Sequence, residues 1–254
     1  MDDKKEFDNG LMKNLFLNGL MGIEVEEKYG GSGLNFFSTI LAIEEIAKFD
    51  ASVALLVDIH NTLVINLINK LGTPSQKDYW LPKLATQITG SFCLSESEAG
   101  SDAFALKTTA ELDGGDFILK GSKCWISNAS EAGLFLVMAN AHPEKKHRGI
   151  TTFLVPRDAS GLTIGKKERK MGLHASSTCE IHLDSVRVNK EQAVLGHVGQ
   201  GYKYAISMLN EGRVGIAAQM LGLAQGCFDY ASNYTRERFQ FGRRIWDFQV
   251  SFLK

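Results

Sequence analysis

The pattern of hydrophobic and polar positions divides the chain into three parts. In the first part, apolar side chains recur at helical spacing, most clearly over 37–47 and 55–71. In the second, short apolar runs are separated by Gly, Pro, Asn and Asp, which is typical of strands joined by turns. The third returns to a long helical pattern. We therefore predict an α+β protein with an N-terminal helical domain (1–90), a central β barrel or sandwich (91–198) and the start of a C-terminal helical bundle (199–254).

Local signals place several elements within these parts. Thr73 and Pro74 are suited to the N-cap and first turn of a helix. Asp113-Gly114-Gly115-Asp116 is a good hairpin turn. The predicted strands cover 92–94, 106–112, 117–120, 134–139, 150–155, 179–183 and 186–188. A long helix is predicted over 202–234, with a second beginning near Trp246.

Composition excludes several classes of function. The 28 basic and 29 acidic residues nearly cancel, which argues against a nucleic-acid partner or an anionic membrane surface. No apolar run is expected to reach the roughly 20 residues that span a bilayer, so we predict no membrane insertion. The four cysteines form no C-x-x-C pair, and we expect reduced thiols and no metal site.

The candidate chemistry lies in two segments of the central part, 92–102 and 123–128. The first is a short apolar run that breaks into Ser, Glu, Ala and Gly, as a strand does when it ends in a ligand-facing turn. In the second, Trp125 and Ser127 would point to the same face of a strand. A large π-face beside a hydroxyl group suits a flat ring with heteroatoms at its edge.

These segments resemble the flavin-binding segments of the acyl-CoA dehydrogenase family. Cys93-Leu94-Ser95-Glu96, two residues and then Ala99-Gly100-Ser101-Asp102 match one of its diagnostic signatures. Other stretches are most similar to the short/branched-chain members, and the resemblance covers nearly the whole chain. Those stretches are 20–25, 173–179, 210–213 and 215–222.

The resemblance implies FAD as cofactor. Ser95 would hydrogen-bond the pyrimidine edge of the flavin, Trp125 would cover one face of the ring, and Ser127 would lie near N5. Arg238 would neutralise the pyrophosphate of a neighbouring subunit's flavin. The implied cofactor-binding residues are Phe92, Cys93, Leu94, Ser95, Glu96, Ser97, Glu98, Ala99, Gly100, Ser101, Trp125, Ile126, Ser127, Arg238 and Gln249.

The resemblance also implies an acyl-CoA site. Its residues would be Ser101, Tyr202, Asn210, Glu211, Gly212 and Arg213. Each residue taken alone also fits a structural role. A Trp on a strand is usually core, a Ser in a turn usually caps backbone groups, and a polar stripe on a helix is usually solvated.

No residue is assigned as the catalytic base. Most family members supply a Glu late in the C-terminal helical domain, and a minority place it immediately before the Arg that matches Arg213. This chain has Gly212 there, and the adjacent Glu211 is turned by about 100° around a helix. One long helix with a stub also cannot bury its own apolar faces. We therefore expect a chain that is truncated at both ends relative to the family.

Three functional hypotheses follow. The first is FAD-dependent conversion of short or 2-methyl-branched acyl-CoA to 2-enoyl-CoA, with electrons passed to electron-transfer flavoprotein; an acyl-CoA oxidase is a weaker variant. The second is a truncated, inactive chain that binds flavin or acyl-CoA at most. The third is a module that joins intact subunits through the exposed face of its long helix. The resemblance further implies a homotetramer and the mitochondrial matrix, although residues 1–6 are acidic and unlike a transit peptide.

Overall fold

The computed structural model describes residues 1–8 and 10–248. Within these residues, helical segments come before and after a central sheet in the sequence. The α-helices are α1 (Leu11–Leu17), α2 (Phe36–Ala47), α3 (Ala51–Asp58), α4 (Asn66–Leu71), α5 (Pro74–Thr86), α6 (Lys190–Ala193) and α7 (Gly201–Glu237). A π-helical segment, Ile59–Ile65, joins α3 to α4. Short 3-10 helices cover Glu27–Tyr29, Ala103–Ala105, Pro143–Gly149 and Ile245–Asp247.

The central strands form one mixed sheet of eight. They are β1 (Thr89–Cys93), β2 (Thr109–Asp113), β3 (Asp116–Ile126), β4 (Ala132–Asn140), β5 (Ile150–Pro156), β6 (Leu162–Lys167), β7 (Cys179–Asn189) and β8 (Val194–Leu195). Their order in the sheet is β6-β7-β3-β2-β4-β5-β8, and β1 pairs in parallel with β4. Most other pairings are antiparallel, with one short parallel contact between β2 and β4.

The sheet folds over on itself. Two strands, β2 and β4, lie between Phe117 on β3 and Phe153 on β5 in the sheet order, yet the two ring centroids are 5.1 Å apart. In a flat sheet three strand spacings would separate them by about 14 Å. Both rings belong to a buried cluster on the inner face of the curved sheet. This curvature agrees with the barrel or sandwich predicted from the sequence, and the α+β class is confirmed.

One apolar helical stretch lies in the core between the helices and the sheet. Residues Ala51–Leu71 are 21 residues long with a mean hydropathy of 1.6, so by length and composition alone they could cross a membrane. The expectation that no such run exists is therefore wrong. Of its most apolar 18-residue window, 83% is buried inside the protein. A core helix surrounded by protein has the same composition as a membrane span, because both are apolar on all sides.

The local signals for caps and turns are confirmed. The Thr73 hydroxyl accepts a hydrogen bond from the Gln76 N–H, and the Gln76 side chain accepts one from the Thr73 N–H, which is a complete capping box before Pro74. The β2–β3 hairpin turns at Gly114, where φ is +63°. Within the described residues no α-helix begins near Trp246, so that prediction is wrong. A two-stranded hairpin, β9 (Phe239–Gln240) and β10 (Arg243–Arg244), and a 3-10 turn occupy this region instead.

Close packing of α7 against α2 depends on two glycines. A Cβ atom on Gly222 would lie 2.0 Å from the carbonyl oxygen of Glu44, and one on Gly226 would lie 2.1 Å from that of Lys48. These positions face the C-terminal half of α2 and the residue that follows it. The backbones therefore approach more closely than any side chain would allow.

Candidate functional site

The structure brings the two candidate segments side by side. The Cys124 N–H donates to the carbonyl oxygen of Ser95 at 3.0 Å. The Ser91 hydroxyl donates to the carbonyl oxygen of Ser127 at 2.8 Å. The end of β1 and the end of β3 therefore run antiparallel, with Trp125 opposite the residues that follow β1. This juxtaposition follows from β1 pairing with β4, the strand that comes directly after the Ser127 turn.

Trp125 has an unusual backbone and an unusual exposure. Its φ is +58°, and β3 is irregular between Lys123 and Ile126 where it pairs with β7. A bulky residue in the left-handed region is strained by about 1–3 kcal/mol. The strain turns the indole ring outward, and 59% of this residue is exposed while Ile126 is buried.

Simple strand alternation does not relate Trp125 to Ser127. The irregularity in β3 shifts its alternation, and the strand ends at Ile126, so Ser127 lies in the following turn. The prediction that both side chains lie on one face of a strand assumed a regular strand through Ser127, and that assumption is wrong. The proximity of Ser127 to β1 comes from its bond to Ser91 instead.

The turn after β1 is organised by the buried carboxylate of Glu96. Its Oε2 accepts a hydrogen bond from the Lys107 N–H at 2.6 Å, and its Oε1 accepts from the N–H and hydroxyl of Thr108 at 3.1 and 2.5 Å. The backbones of Glu96 and Ala99 also exchange two hydrogen bonds of 3.1 Å. The Glu96 side chain therefore faces the protein interior, and it shapes the turn from within.

The remaining members of the signature divide by exposure. Phe92 and Ser95 are half-buried, whereas Cys93, Leu94 and Ala99 are buried. The exposed members are Ser97, Glu98, Gly100 and Ser101. Glu98 forms an ion pair with Lys107. The exposed members form the outer rim of the turn, and the buried ones anchor it.

Lys123 is a site residue that the sequence does not reveal. Its ammonium group lies 2.7 Å from Glu96 Oε1 and donates to the Leu94 carbonyl oxygen at 3.1 Å. The Lys123 side chain is fully buried. Burial by itself raises the pKa of the Glu96 carboxyl, but the adjacent Lys123 ammonium brings that pKa below its ordinary value. Burial lowers the pKa of Lys123, and Glu96 opposes this shift.

An aromatic cluster links the end of the signature to α7. The Tyr202 ring packs edge-on against Phe104 at 5.8 Å and against His147 at 4.9 Å between centroids. Phe104 lies in the 3-10 turn just after Asp102. Tyr202 and Ser101 are therefore held in the same region. Neither Phe104 nor His147 was predicted, since the sequence does not show that these loops meet.

The polar residues on α7 point to different partners. Asn210 is exposed and its Oδ1 accepts a hydrogen bond from Arg213. Glu211 is half-buried and forms an ion pair with Lys70 of α4. A Cβ on Gly212 would lie 3.1 Å from Leu63 Cδ2 of the π-helical segment. The carboxylate of Glu211 is thus turned toward α4, in keeping with the prediction that it does not replace the base missing at Gly212.

Arg238 lies far from this region of the same chain. It follows α7, and its carbonyl oxygen accepts a hydrogen bond from Ile245 N–H at 2.9 Å. Helical rise places it about 50 Å from Tyr202, at the opposite end of α7. The structure does not bring Arg238 to the motif segments of its own chain. Gln249, the other residue predicted in this stretch, lies outside the described residues.

A separate cleft lies away from the motif segments. It has a volume of about 570 Å³ and is lined by α5 residues Tyr79 and Trp80, by Pro156 and by Asn189. The motif residues do not line this cleft. Trp125 instead lies at the surface, with 59% of the residue exposed.

The motif surface fits a flavin in its chemistry. Trp125 offers an exposed aromatic face, and Ser95 and Ser127 place hydroxyl groups on the backbone segments beside it. Flat heteroaromatic rings are bound by such combinations of stacking and edge hydrogen bonds. The strain at Trp125 and the solvent exposure of its ring both cost free energy, and a stacked ligand would remove the second cost.

Comparison with known proteins identifies the family. Family models match over three consecutive ranges: the acyl-CoA dehydrogenase N-terminal domain at residues 1–87, the middle domain at 91–186 and the C-terminal domain at 199–252. The short/branched chain specific acyl-CoA dehydrogenase of Rattus norvegicus, a mitochondrial protein, is 58% identical over 98% of this chain. The chain spans 57% of the length of that relative.

Solved structures share the fold over almost the entire chain. Butyryl-CoA dehydrogenase from Megasphaera elsdenii is 39% identical with a TM-score of 0.95, covering 99% of this chain and 67% of its own. A chain from a structure of the electron transferring flavoprotein of Acidaminococcus fermentans is 38% identical with a TM-score of 0.96, covering 99% and 66%. By sequence and by structure, this chain belongs to the acyl-CoA dehydrogenase family.

Proposed function

We propose that this chain is the flavin-holding portion of an FAD-dependent acyl-CoA dehydrogenase that acts on short or 2-methyl-branched acyl-CoA. The observation that carries the proposal is the strained, outward-facing Trp125 beside the Ser95 turn. Bound FAD would supply the electron acceptor for α,β-dehydrogenation of the acyl group. The branched-chain preference is supported by the rat relative, whose name specifies short/branched chains.

The chain's own residues would perform binding and orientation. Trp125 would stack on one face of the ring, and Ser95 and Ser127 would hydrogen-bond its edge. Residues 92–101 with Ile126 would line the flavin, and Arg238 with Gln249 would contact the cofactor of a neighbouring subunit. Ser101, Tyr202 and the segment 210–213 would contact acyl-CoA. Tyr202 is supported by its position between Phe104 and His147.

The partners are part of the same proposal. Electrons would pass to electron-transfer flavoprotein, which is supported by the similar chain in the Acidaminococcus structure. A homotetramer would bring Arg238 to the flavin of another subunit, because within its own chain it is too distant. The mitochondrial matrix is proposed because the rat relative is mitochondrial.

A second function, binding without turnover, is favoured by the surroundings of Gly212. Its position carries no carboxylate, and Glu211 is paired with Lys70. The outer face of α7 also exposes Ile216, Leu221 and Phe228, which suits a chain that joins other subunits.

Anaerobic titration of the FAD-loaded chain with 2-methylbutyryl-CoA separates these functions. Bleaching of the flavin absorbance would support a complete dehydrogenase site. Binding without bleaching would support the second function. In that case Gly212→Glu should produce bleaching and the uncharged control Gly212→Gln should not, because only the former introduces a base.

A further inference from the structure

We propose that Lys123 and Glu96 are positioning residues, whose buried contact preforms the flavin-binding turn against the strand that carries Trp125. The proposal rests on the proposed function and deepens it. Neither residue needs to touch the flavin. Their role is to hold together two segments that are far apart in sequence and that would otherwise have to be ordered by the ligand.

The Lys123 ammonium group joins β3 to the residues on either side of Ser95. Its ammonium group bonds the carbonyl oxygen of Leu94 at 3.1 Å and Glu96 Oε1 at 2.7 Å. Leu94 and Glu96 flank Ser95, and Lys123 lies two residues before Trp125. One buried ammonium group thus holds the Leu94 backbone and the Glu96 side chain, on either side of Ser95, against the strand that carries Trp125.

Glu96 extends this connection to the far end of the turn. Its carboxylate accepts hydrogen bonds from the backbone N–H groups of Lys107 and Thr108. The exposed residues Ser97, Glu98, Gly100 and Ser101 therefore lie in a loop that is held at both ends by one carboxylate. Because the side chain is directed inward, the outer rim of the loop is left free for a ligand.

A stability role alone does not account for this arrangement. A buried ion pair must lose its hydration, and replacing both members by neutral groups is often neutral or stabilising. Compared with two neutral side chains, the ion pair adds a defined position of the turn relative to β3. Ordering the turn in advance lowers the entropic cost of ligand binding.

The variants Glu96→Gln, Lys123→Met and the double variant test this role. Two readouts are required: the FAD dissociation constant, and the amide hydrogen exchange of residues 94–101 in the flavin-free chain. The matched control is Lys120→Met with Glu111→Gln. That pair also joins β3 to a neighbouring segment, but it is solvent-exposed with a separation of 3.4 Å.

Each single variant leaves a buried charge without its opposite charge, so we expect lower thermal stability, faster exchange and FAD binding weakened by about tenfold or more. In the double variant thermal stability should recover toward wild type, whereas exchange of the turn stays fast and FAD binding stays weak. The control pair should change neither readout.

Wild-type exchange of residues 94–101 in the double variant would overturn the proposal, and so would full recovery of FAD binding together with stability. The exchange readout needs no flavin. If the wild-type chain fails to bind FAD, the proposed function fails, while protection of the turn still decides whether Lys123 and Glu96 position it.

Discussion

The Nδ1 atom of His60 accepts a hydrogen bond from the backbone N–H of Gly90 at 2.9 Å. Its Nε2 faces the carbonyl oxygens of Met21 and Leu84 at 2.9 and 3.0 Å. An imidazole that accepts at one nitrogen and donates at the other is neutral. This fully buried ring therefore joins the helical part of the chain to β1, the strand that leads into the Ser95 turn.

The neutral state of His60 predicts a loss of stability in acid. Burial lowers the pKa of His60 from 6.5 to about 4, so between these values the unfolded chain binds a proton that the folded chain does not. The free energy of unfolding should fall by about 3 kcal/mol as pH decreases across this window. Urea unfolding of His60→Gln should lack this contribution, whereas the exposed control His142→Gln should retain it. Equal pH dependence in His60→Gln and wild type would refute the assignment.

Asp58 should change the free energy of unfolding with pH in the direction opposite to His60. It is buried against Gly215, and its Oδ1 accepts a hydrogen bond from the Thr62 hydroxyl at 2.8 Å. Burial raises the pKa of Asp58 from 3.8 to about 7. The folded chain therefore holds the proton more tightly, and the stability it contributes is lost as pH rises from 3.8 through 7.

Asp58→Asn removes this titration while retaining an oxygen for Thr62. We expect the variant to exceed wild type in stability by up to about 4 kcal/mol at pH 8, with the difference vanishing below pH 4. Urea unfolding at both pH values measures it. The exposed substitution Asp158→Asn should have little effect at either pH. A variant no more stable than wild type at pH 8 would show that burial does not raise the pKa of Asp58.

At Gly222, α7 packs so closely on α2 that a larger side chain should not fit. A Cβ would lie 2.0 Å from the Glu44 carbonyl oxygen, so the helices must separate to admit it. Gly222→Ala should lower the free energy of unfolding by about 1–3 kcal/mol despite the better helix propensity of Ala. Gly115→Ala, where no heavy atom lies within 4 Å of a Cβ, should be nearly neutral. Chemical denaturation compares the two variants. Equal stabilities would contradict the packing described.

Features set by neighbouring residues could be predicted from the sequence. The Thr73 N-cap and the turn at Gly114 depend on side chains within three residues, and both occur as expected. The signature at 93–102 identified the family for the same reason, since its residue types and spacing are contiguous.

Features that depend on distant contacts could not be predicted. A lysine in a strand is normally solvent-exposed, and its contacts with Leu94 and Glu96, 29 and 27 residues away, explain why Lys123 is buried. The outward turn of Trp125 depends on an irregular pairing with β7, which strand alternation cannot show. Strand β6 was also missed, because Leu162–Lys167 lacks a clear alternation and is stabilised by its pairing with β7.

The visible absorption spectrum of the chain, recorded after FAD is supplied during expression and dialysed away, tests whether the Trp125 surface holds the cofactor. We predict that the wild-type chain retains a flavin spectrum. The spectrum should be lost or strongly reduced in Trp125→Ala and kept in the control Trp246→Phe. A colourless wild-type chain, or one whose flavin is unaffected by Trp125→Ala, would contradict the claim that the Trp125 surface holds the cofactor.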